Sequence, residues 1–186
     1  MSEIENIAKQ MLAKGKGILA ADESTGTMTK RLASVNVEST AENRLKFRQT
    51  LFSSEGMKSY ISGVILYDET IKQKTTNGKT IPELIKSFGS IPGIKVDTGV
   101  KELNGSPEEK ITGGLDGLRE RLADYYKLGA RFTKWRAVYN ISKNYPSELS
   151  IKSNAQALAR YAALVQEAKM VPIVEPEVLM DGNHNI

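Results

Sequence analysis

Cysteine is absent from this chain of 186 residues, and histidine occurs only once, as His184. Without cysteine there can be no disulfide, no thiol nucleophile and no thiolate ligand for a metal. With a single histidine, imidazole acid–base catalysis and multi-histidine zinc sites lose their usual side chains. Any chemistry must therefore use lysine, arginine, aspartate, glutamate, tyrosine or hydroxyl groups, and we expect neither a metal nor an organic cofactor.

Long apolar runs and concentrated charge are also missing. No hydrophobic stretch approaches the roughly 18 residues that a membrane-spanning helix needs, and the acidic start at residues 1–5 does not resemble a signal peptide. Lysine and arginine are spread along the chain, with a mild net charge of +4 and no basic run interleaved with aromatic residues. We therefore expect a soluble, cytoplasmic protein without a membrane or nucleic-acid partner.

The composition that remains, with 40% hydrophobic and 26% charged residues, is typical of a globular domain with a real core. Short β-rich segments alternate with amphipathic helices, which predicts right-handed βαβ units and a parallel sheet. The spacing favours an α/β fold of the (β/α)8 TIM barrel type. Because such barrels typically need about 250 residues, we expect residues 1–186 to supply roughly the first five β/α units of one barrel domain.

Capping residues and prolines predict where several elements begin and end. Capping boxes at Ser2 and Ser39 start two helices, and a third helix covers about residues 147–169. The last strand is predicted to end at Glu175, because Pro176 lacks a backbone donor that a central strand needs. Residues 104–107 are predicted to be a loop.

Charged residues placed two apart follow the β-rich segments. Because alternate strand residues point to the same face, three pairs each share a face: Lys95 with Asp97, Lys134 with Arg136, and Glu175 with Glu177. Burying such charges is costly unless opposite charges lie across from them. The pattern therefore predicts that acids and bases from different strands meet in one cavity, as in an active site at the strand ends of a parallel sheet.

Each charged segment also has a plainer interpretation. The polar loop that starts at Asp22 is either an anion-binding helix start or only an N-cap. Glu175 and Glu177 either share a proton as an acid–base pair or form a solvated acidic turn. Lys134 has apolar neighbours, which favours an interior setting in which a second cation lowers its pKa. Asp68 and Glu69 are interpreted as structural.

Four motifs, in order, closely resemble the class I fructose-1,6-bisphosphate aldolases, and the resemblance extends over essentially the whole chain, including residues 114–118 and 154–161. The motifs are residues 15–26, 93–97, 133–136 and 174–177. The resemblance implies a barrel enzyme of glycolysis that cleaves a ketose bisphosphate through a lysine Schiff base without metal, as a homo-oligomer, expected to be a homotetramer.

The resemblance also implies roles for single residues. Asp22 is implied as the acid/base near the scissile bond, and Glu175 as the acid/base in carbinolamine formation and dehydration. Glu177 is implied to orient the Schiff-base lysine. Lys134 and Arg136 are implied to assist proton transfer and to interact with the charge of the substrate. Binding of the distal phosphate or of the substrate is implied for a further set: Ser24, Thr27, Lys95 and, more loosely, Arg31 and Arg44.

One departure bears on activity. The Schiff-base lysine of the family lies on a sixth strand in a Leu-Lys-Pro context, and this sequence contains no Lys-Pro dipeptide. We therefore expect a fragment that is inactive by itself. Two alternatives stay open: another Schiff-base barrel, similar to transaldolase, with a lone lysine on a different strand, and a non-catalytic scaffold or binding protein of the aldolase fold.

Overall fold

Helices and strands alternate along the chain in the computed structural model, which describes residues 2–185. The helices are α1 (Glu3–Met11), α2 (Thr25–Ala33), α3 (Ala41–Phe52), α4 (Gly56–Tyr60), α5 (Asp68–Ile71), α6 (Ile81–Ser87), α7 (Leu118–Lys127) and α8 (Glu148–Glu167). The strands are β1 (Gly17–Ala21), β2 (Ile61–Leu66), β3 (Ile91–Lys95), β4 (Val100–Leu103), β5 (Ser106–Thr112), β6 (Phe132–Tyr139) and β7 (Val171–Val178). No helix within residues 2–185 is long and apolar enough to cross a bilayer.

The main sheet has the strand order β1-β2-β3-β6-β7, and every neighbouring pair is parallel. Apart from the β4–β5 hairpin, strands that are adjacent in the sheet follow one another along the chain. A doubly wound sheet would instead reverse its strand order at a switch point. The predicted barrel winding is therefore confirmed, with five parallel strands in residues 2–185, of which the last has no helix after it there.

The two faces of the sheet have different surroundings. Trp135 and Ala137 of β6 belong to the large cluster that the sheet forms with its covering helices. Phe132 belongs to a small second cluster with Ile7 and Met11 of α1, and Lys134 lies on the same strand face as Phe132. Helix α1 thus covers the inner face near the start of the strands, which leaves the far end of that face to charged side chains.

Phe132 occupies space that two glycines on neighbouring strands leave free. A Cβ atom on Gly93 would lie only 2.3 Å from the Phe132 ring, and one on Gly63 would lie 3.0 Å from it. The aromatic ring therefore rests directly on the backbone of β2 and β3. This packing fills the interior immediately below the charged strand ends.

One of the two predicted capping boxes is present at a helix start. The capping box of Ser2 with Glu5 is confirmed at α1. The capping box predicted at Ser39 is wrong, because the N-cap of α3 is Thr40, whose hydroxyl accepts a hydrogen bond from the Asn43 amide at 3.1 Å. The Ser39 hydroxyl instead accepts a hydrogen bond from Thr29 at 2.9 Å.

The structure differs from two predictions, the end of the last strand and the loop at residues 104–107. Strand β7 does not end at Glu175 but continues through Pro176 to Val178. Within residues 2–185 it has a neighbour on one side only, and an edge strand tolerates proline. Of the loop predicted at 104–107, Asn104 and Gly105 form the turn of the β4–β5 hairpin, where Gly105 has a φ of 83°, while Ser106 and Pro107 already belong to β5. This hairpin was missed because its strands are mostly polar.

Candidate active site

A cavity of about 1040 Å³ opens at the C-terminal ends of the parallel strands. We refer to it as the strand-end cavity. It is lined by nearly all the site residues predicted from sequence, namely Asp22, Ser24, Thr27, Arg31, Lys95, Lys134, Arg136, Glu175 and Glu177. The sheet brings them together because parallel strands end at one edge. Residues 2–185 contain no group of three or more acidic or histidine side chains that could hold a metal ion.

Lys134 lies between two carboxylates from opposite edges of the sheet. Its Nζ is 3.3 Å from Oδ2 of Asp22 after β1 and 3.1 Å from Oε2 of Glu175 on β7. Burial of the Lys134 ammonium lowers its pKa, but the two carboxylates outweigh burial, so the pKa is raised. The prediction of a lowered pKa is therefore wrong. The neighbouring cation on β3, Lys95, has a carboxylate of its own.

That carboxylate belongs to Asp97, whose Oδ1 lies 2.5 Å from the Nζ of Lys95. The same oxygen accepts a hydrogen bond from the Gly99 amide at 3.1 Å. Its second oxygen accepts one from the Arg136 amide at 3.4 Å. Asp97 thus links the ends of β3 and β6, a role that sequence reasoning missed although the Lys95–Asp97 spacing was the available signal.

Glu177 is paired with Arg136, through a short contact between its Oε2 and the Nε of the guanidinium. The hydrogen bond from Arg136 lowers the pKa of Glu177, and the same bond raises the pKa of Arg136. Glu175 and Glu177 therefore each have a cationic partner, which argues against a proton shared between them. The alternative of a solvated turn is wrong, because both residues lie within β7.

The loop after β1 combines capping with a place in the cavity. The Ser24 hydroxyl accepts a hydrogen bond from the Thr27 amide at 3.3 Å and so caps α2. Both side chains also line the strand-end cavity. The capping interpretation is confirmed, while anion binding at this helix start stays a prediction.

Arg44 is the predicted site residue that does not line the strand-end cavity. Its guanidinium binds Glu69 at 2.8 Å and 2.5 Å and donates to the Ser39 carbonyl at 2.6 Å. Glu69 is thereby structural, as predicted. Asp68 has a less simple position, because it lines the cavity and also accepts a hydrogen bond from Tyr125 at 2.8 Å.

Helix α7 adds cavity residues that the sequence did not single out. Arg121 donates to the carbonyls of Val96 and Gly114 at 2.9 Å and 2.5 Å, and it lines the strand-end cavity together with Tyr125. In the sequence these positions are merely polar or aromatic residues of an amphipathic helix. Only tertiary contacts such as the bond from Arg121 to the Val96 carbonyl, just after β3, place them at the cavity.

The comparisons with known proteins agree on one family. The family described as glycolytic, fructose-bisphosphate aldolase class-I, matches residues 3–186. A probable fructose-bisphosphate aldolase class 1 from Xylella fastidiosa is 54% identical over 186 residues, which is 100% of this chain and 56% of that protein. The cytosolic fructose-bisphosphate aldolase 5 of Arabidopsis thaliana is 57% identical over 99% of this chain and 51% of its own length.

A solved structure shows the same fold. Fructose-bisphosphate aldolase from Plasmodium falciparum, in a complex with TRAP and a small-molecule inhibitor, superposes with a TM-score of 0.95 at 48% identity. The superposition covers 98% of this chain and 53% of the other. This chain therefore spans about half the length of the proteins it matches. With nearly all of its residues matched in sequence and in fold, the chain belongs to the class I fructose-bisphosphate aldolase family.

Proposed function

We propose that these residues form the N-terminal part of a single aldolase barrel domain. The whole protein is then a lyase that cleaves fructose 1,6-bisphosphate to dihydroxyacetone phosphate and glyceraldehyde 3-phosphate. The observation that carries this proposal is the position of the Lys134 ammonium, 3.3 Å from Asp22 and 3.1 Å from Glu175. The cavity around it is also lined by other lysine and arginine side chains. Family membership supplies the reaction class.

The acid–base roles follow from these contacts. A carboxylate inside the cavity can accept a proton from a reacting group and return it, and forming and dehydrating a carbinolamine require such transfers. We assign that work to Glu175 and assign proton transfer at the scissile carbon–carbon bond to Asp22. Lys134 stays protonated between them because both carboxylates stabilise its charge. Glu177, held by Arg136, orients the reacting lysine.

Phosphate binding fits the cationic and hydroxyl side chains of the same cavity. Lys95 is 18% exposed and reaches the cavity from β3, while Ser24 and Thr27 offer hydroxyls at the start of α2. Arg31 and Arg136 also line the cavity, where each is paired with a glutamate that a phosphate would have to displace, Glu23 and Glu177. A phosphate group there would gain charge-assisted hydrogen bonds from several directions.

The covalent step needs a nucleophilic lysine that this sequence does not offer in the Leu-Lys-Pro context of the family. Since a Schiff base requires that amine, we expect the 186-residue chain to be inactive when produced alone. For the whole protein we propose a homotetramer in the cytoplasm, which is consistent with the cytosolic location in the name of its Arabidopsis relative.

The test is a pair of substitutions in the whole protein. Glu175→Gln removes the acid–base group, so kcat should fall by about 10²–10⁴-fold with little change in KM. Lys95→Ala should mainly raise KM for the bisphosphate, and less for a monophosphate. Glu148→Gln is the matched control, because this glutamate is 79% exposed on α8 and forms an ion pair with Lys152, away from the cavity.

The opposite pattern would overturn these assignments. If Glu175→Gln left kcat unchanged while Lys95→Ala abolished borohydride trapping of the Schiff base, the two roles would be reversed. If the unsubstituted whole protein did not cleave fructose 1,6-bisphosphate, the proposed function itself would be wrong.

A further inference from the structure

Arg48 is a fully buried arginine on the inner side of helix α3. Its side chain is 0% exposed, and it repeats at helical spacing with Arg44 and Phe52, the other buried residues of that helix. Burial lowers the pKa of the Arg48 guanidinium, although Glu23 and Glu69 oppose that effect. An apolar side chain at this position would avoid the desolvation cost, so the arginine needs a further explanation.

The contacts of Arg48 join the chain segments that follow β1 and β2. Its Nη2 donates a hydrogen bond of 2.5 Å to the backbone carbonyl of Glu23. The guanidinium is also 4.0 Å from the Glu23 carboxylate, 3.8 Å from the Glu69 carboxylate and 5.9 Å from the centre of the Tyr67 ring. The bond to the Glu23 carbonyl is therefore its firmest contact, and the ion pairs are long.

The remaining polar atoms of Arg48 are poorly satisfied. Its Nε and Nη1 are buried without a hydrogen-bond partner, as is Oε2 of Glu23. A buried charge with an incomplete set of hydrogen bonds adds little stability. The contribution of Arg48 is thus better sought in the geometry of the backbone that it holds than in the free energy of unfolding.

That backbone lies between two residues of the strand-end cavity. Glu23 is flanked by Asp22, which pairs with Lys134 at 3.3 Å, and by Ser24, which caps α2. Arg48 itself does not line the cavity. We infer that Arg48 is a positioning residue: by holding the Glu23 carbonyl, it aims the Asp22 carboxylate at Lys134. As a statement about catalysis this rests on the proposed function, whereas its structural part does not.

The test uses Arg48→Met in the whole protein, which keeps a long side chain and removes the bond to the Glu23 carbonyl. We expect kcat to fall by about 10²-fold with a smaller change in KM, because a displacement of about 1 Å far from the chemistry can have that effect. Arg48→Lys keeps a donor and a charge, so it should recover part of the loss. It is also the variant to use if Arg48→Met fails to fold.

A second readout works whether or not the protein is an aldolase. Lysine amines are labelled with acetic anhydride over a range of pH and quantified by mass spectrometry. The charged groups that face Lys134 are Asp22, Glu175 and, at longer range, Glu177, with Lys95 beside it in register on β3. Once Asp22 is displaced, Lys134 should react at lower pH than in the unsubstituted protein, while exposed Lys143 should be unchanged.

Phe52→Leu is the control for simple loss of stability, because it disturbs the same face of α3 without touching Glu23. If Lys134 labelling and kcat changed no more in the folded Arg48 variant than in Phe52→Leu, the positioning role would be wrong. If Lys134 labelling shifted in Arg48→Met while the unsubstituted protein had no aldolase activity, the positioning of Asp22 would stand and the proposed function would fail.

Discussion

Phe132 lies where the apolar part of the inner sheet face meets its charged part, two residues before Lys134. Its ring fits only because Gly93 and Gly63 have no side chains. Glycine is needed here for space and not for an unusual backbone angle. The identity of single residues on neighbouring strands thus determines whether the floor of the strand-end cavity can form.

Gly93→Ala should destabilise the whole protein by about 1–3 kcal/mol, since its Cβ would lie 2.3 Å from a buried ring that cannot move aside easily. Chemical denaturation measures the change. Gly56→Ala is the control, because its Cβ would meet nothing closer than 3.6 Å. Adding Phe132→Leu should recover stability in the Gly93→Ala background. Simple additivity of the two substitutions would contradict the proposed clash.

Tyr125 should make the free energy of unfolding depend on pH in the alkaline range. Burial, followed by its hydrogen bond to Asp68, raises the pKa of Tyr125 from 10.0 to about 12. Because the folded pKa lies above the unfolded one, the related stability is fully present below pH 10 and is lost as the pH rises to about 12. Tyr125→Phe should therefore lose less stability than the unsubstituted protein over that interval.

The measurement is the free energy of unfolding at several pH values, with Tyr60→Phe as the matched control because Tyr60 is 66% exposed. Parallel curves for Tyr125→Phe and the unsubstituted protein would contradict the assignment. Loss of the hydrogen bond to Asp68 at 2.8 Å lowers stability at every pH, so the comparison concerns slopes only.

The start of helix α8 is connected to the β4–β5 hairpin, in addition to the hydrogen bond that Asn154 of α8 donates to the Lys110 carbonyl of β5 at 2.9 Å. The Ser147 hydroxyl accepts a hydrogen bond from the Ser150 amide at 3.2 Å and so caps α8. Glu109 of β5, which is only 6% exposed, accepts a hydrogen bond of 2.8 Å from the Ser147 amide and contacts its hydroxyl. The start of the helix thus holds a hairpin with few apolar contacts of its own.

Ser147→Ala should lower the free energy of unfolding of the whole protein by about 1–2 kcal/mol, the usual range for an N-cap. It should also speed amide hydrogen exchange in β5, because Glu109 loses its hydroxyl partner. Ser147→Thr should preserve both properties, and exposed Ser142→Ala should change neither. Unaltered exchange in β5 after Ser147→Ala would argue against the connection.

The sheet formed by residues 2–185 has strands β1 and β7 at its two edges. Apolar side chains such as Ile18, Val174 and Val178 are between 36% and 51% exposed there. Unpaired strand edges and exposed apolar surface promote association. The same arrangement that assembles the strand-end cavity therefore leaves this part of the chain in need of a partner surface.

We expect the 186-residue chain, produced alone, to self-associate and to show no aldol cleavage. Gel filtration with light scattering gives its size, hydrogen exchange gives the protection of its strands, and borohydride treatment with substrate detects a covalent adduct. The whole protein serves as the control in each assay. A compact monomer with strongly protected strand amides, or a stable adduct on Lys95 or Lys134, would contradict this expectation.

Apart from the β4–β5 hairpin, the sequence alone determined the order of the strands and which charged residues lie at the strand ends. Alternating strands and helices predicted parallel winding, and the spacing of two between charged residues predicted which side chains share a face. Residues such as Asp22, Lys134 and Glu175 could be identified because local backbone geometry dictates where alternate side chains point. The cap at Ser2 was readable for the same reason, since a cap acts within a few residues.

Only the tertiary structure decided which charges pair. Asp22 and Glu175 are far apart in sequence yet both reach Lys134, and this raises a lysine pKa that local reasoning expected to be lowered. Arg44 was expected in the substrate site but is bound to Glu69 outside the cavity. Ion pairing depends on distances of a few ångströms between remote segments, and no local pattern contains those distances.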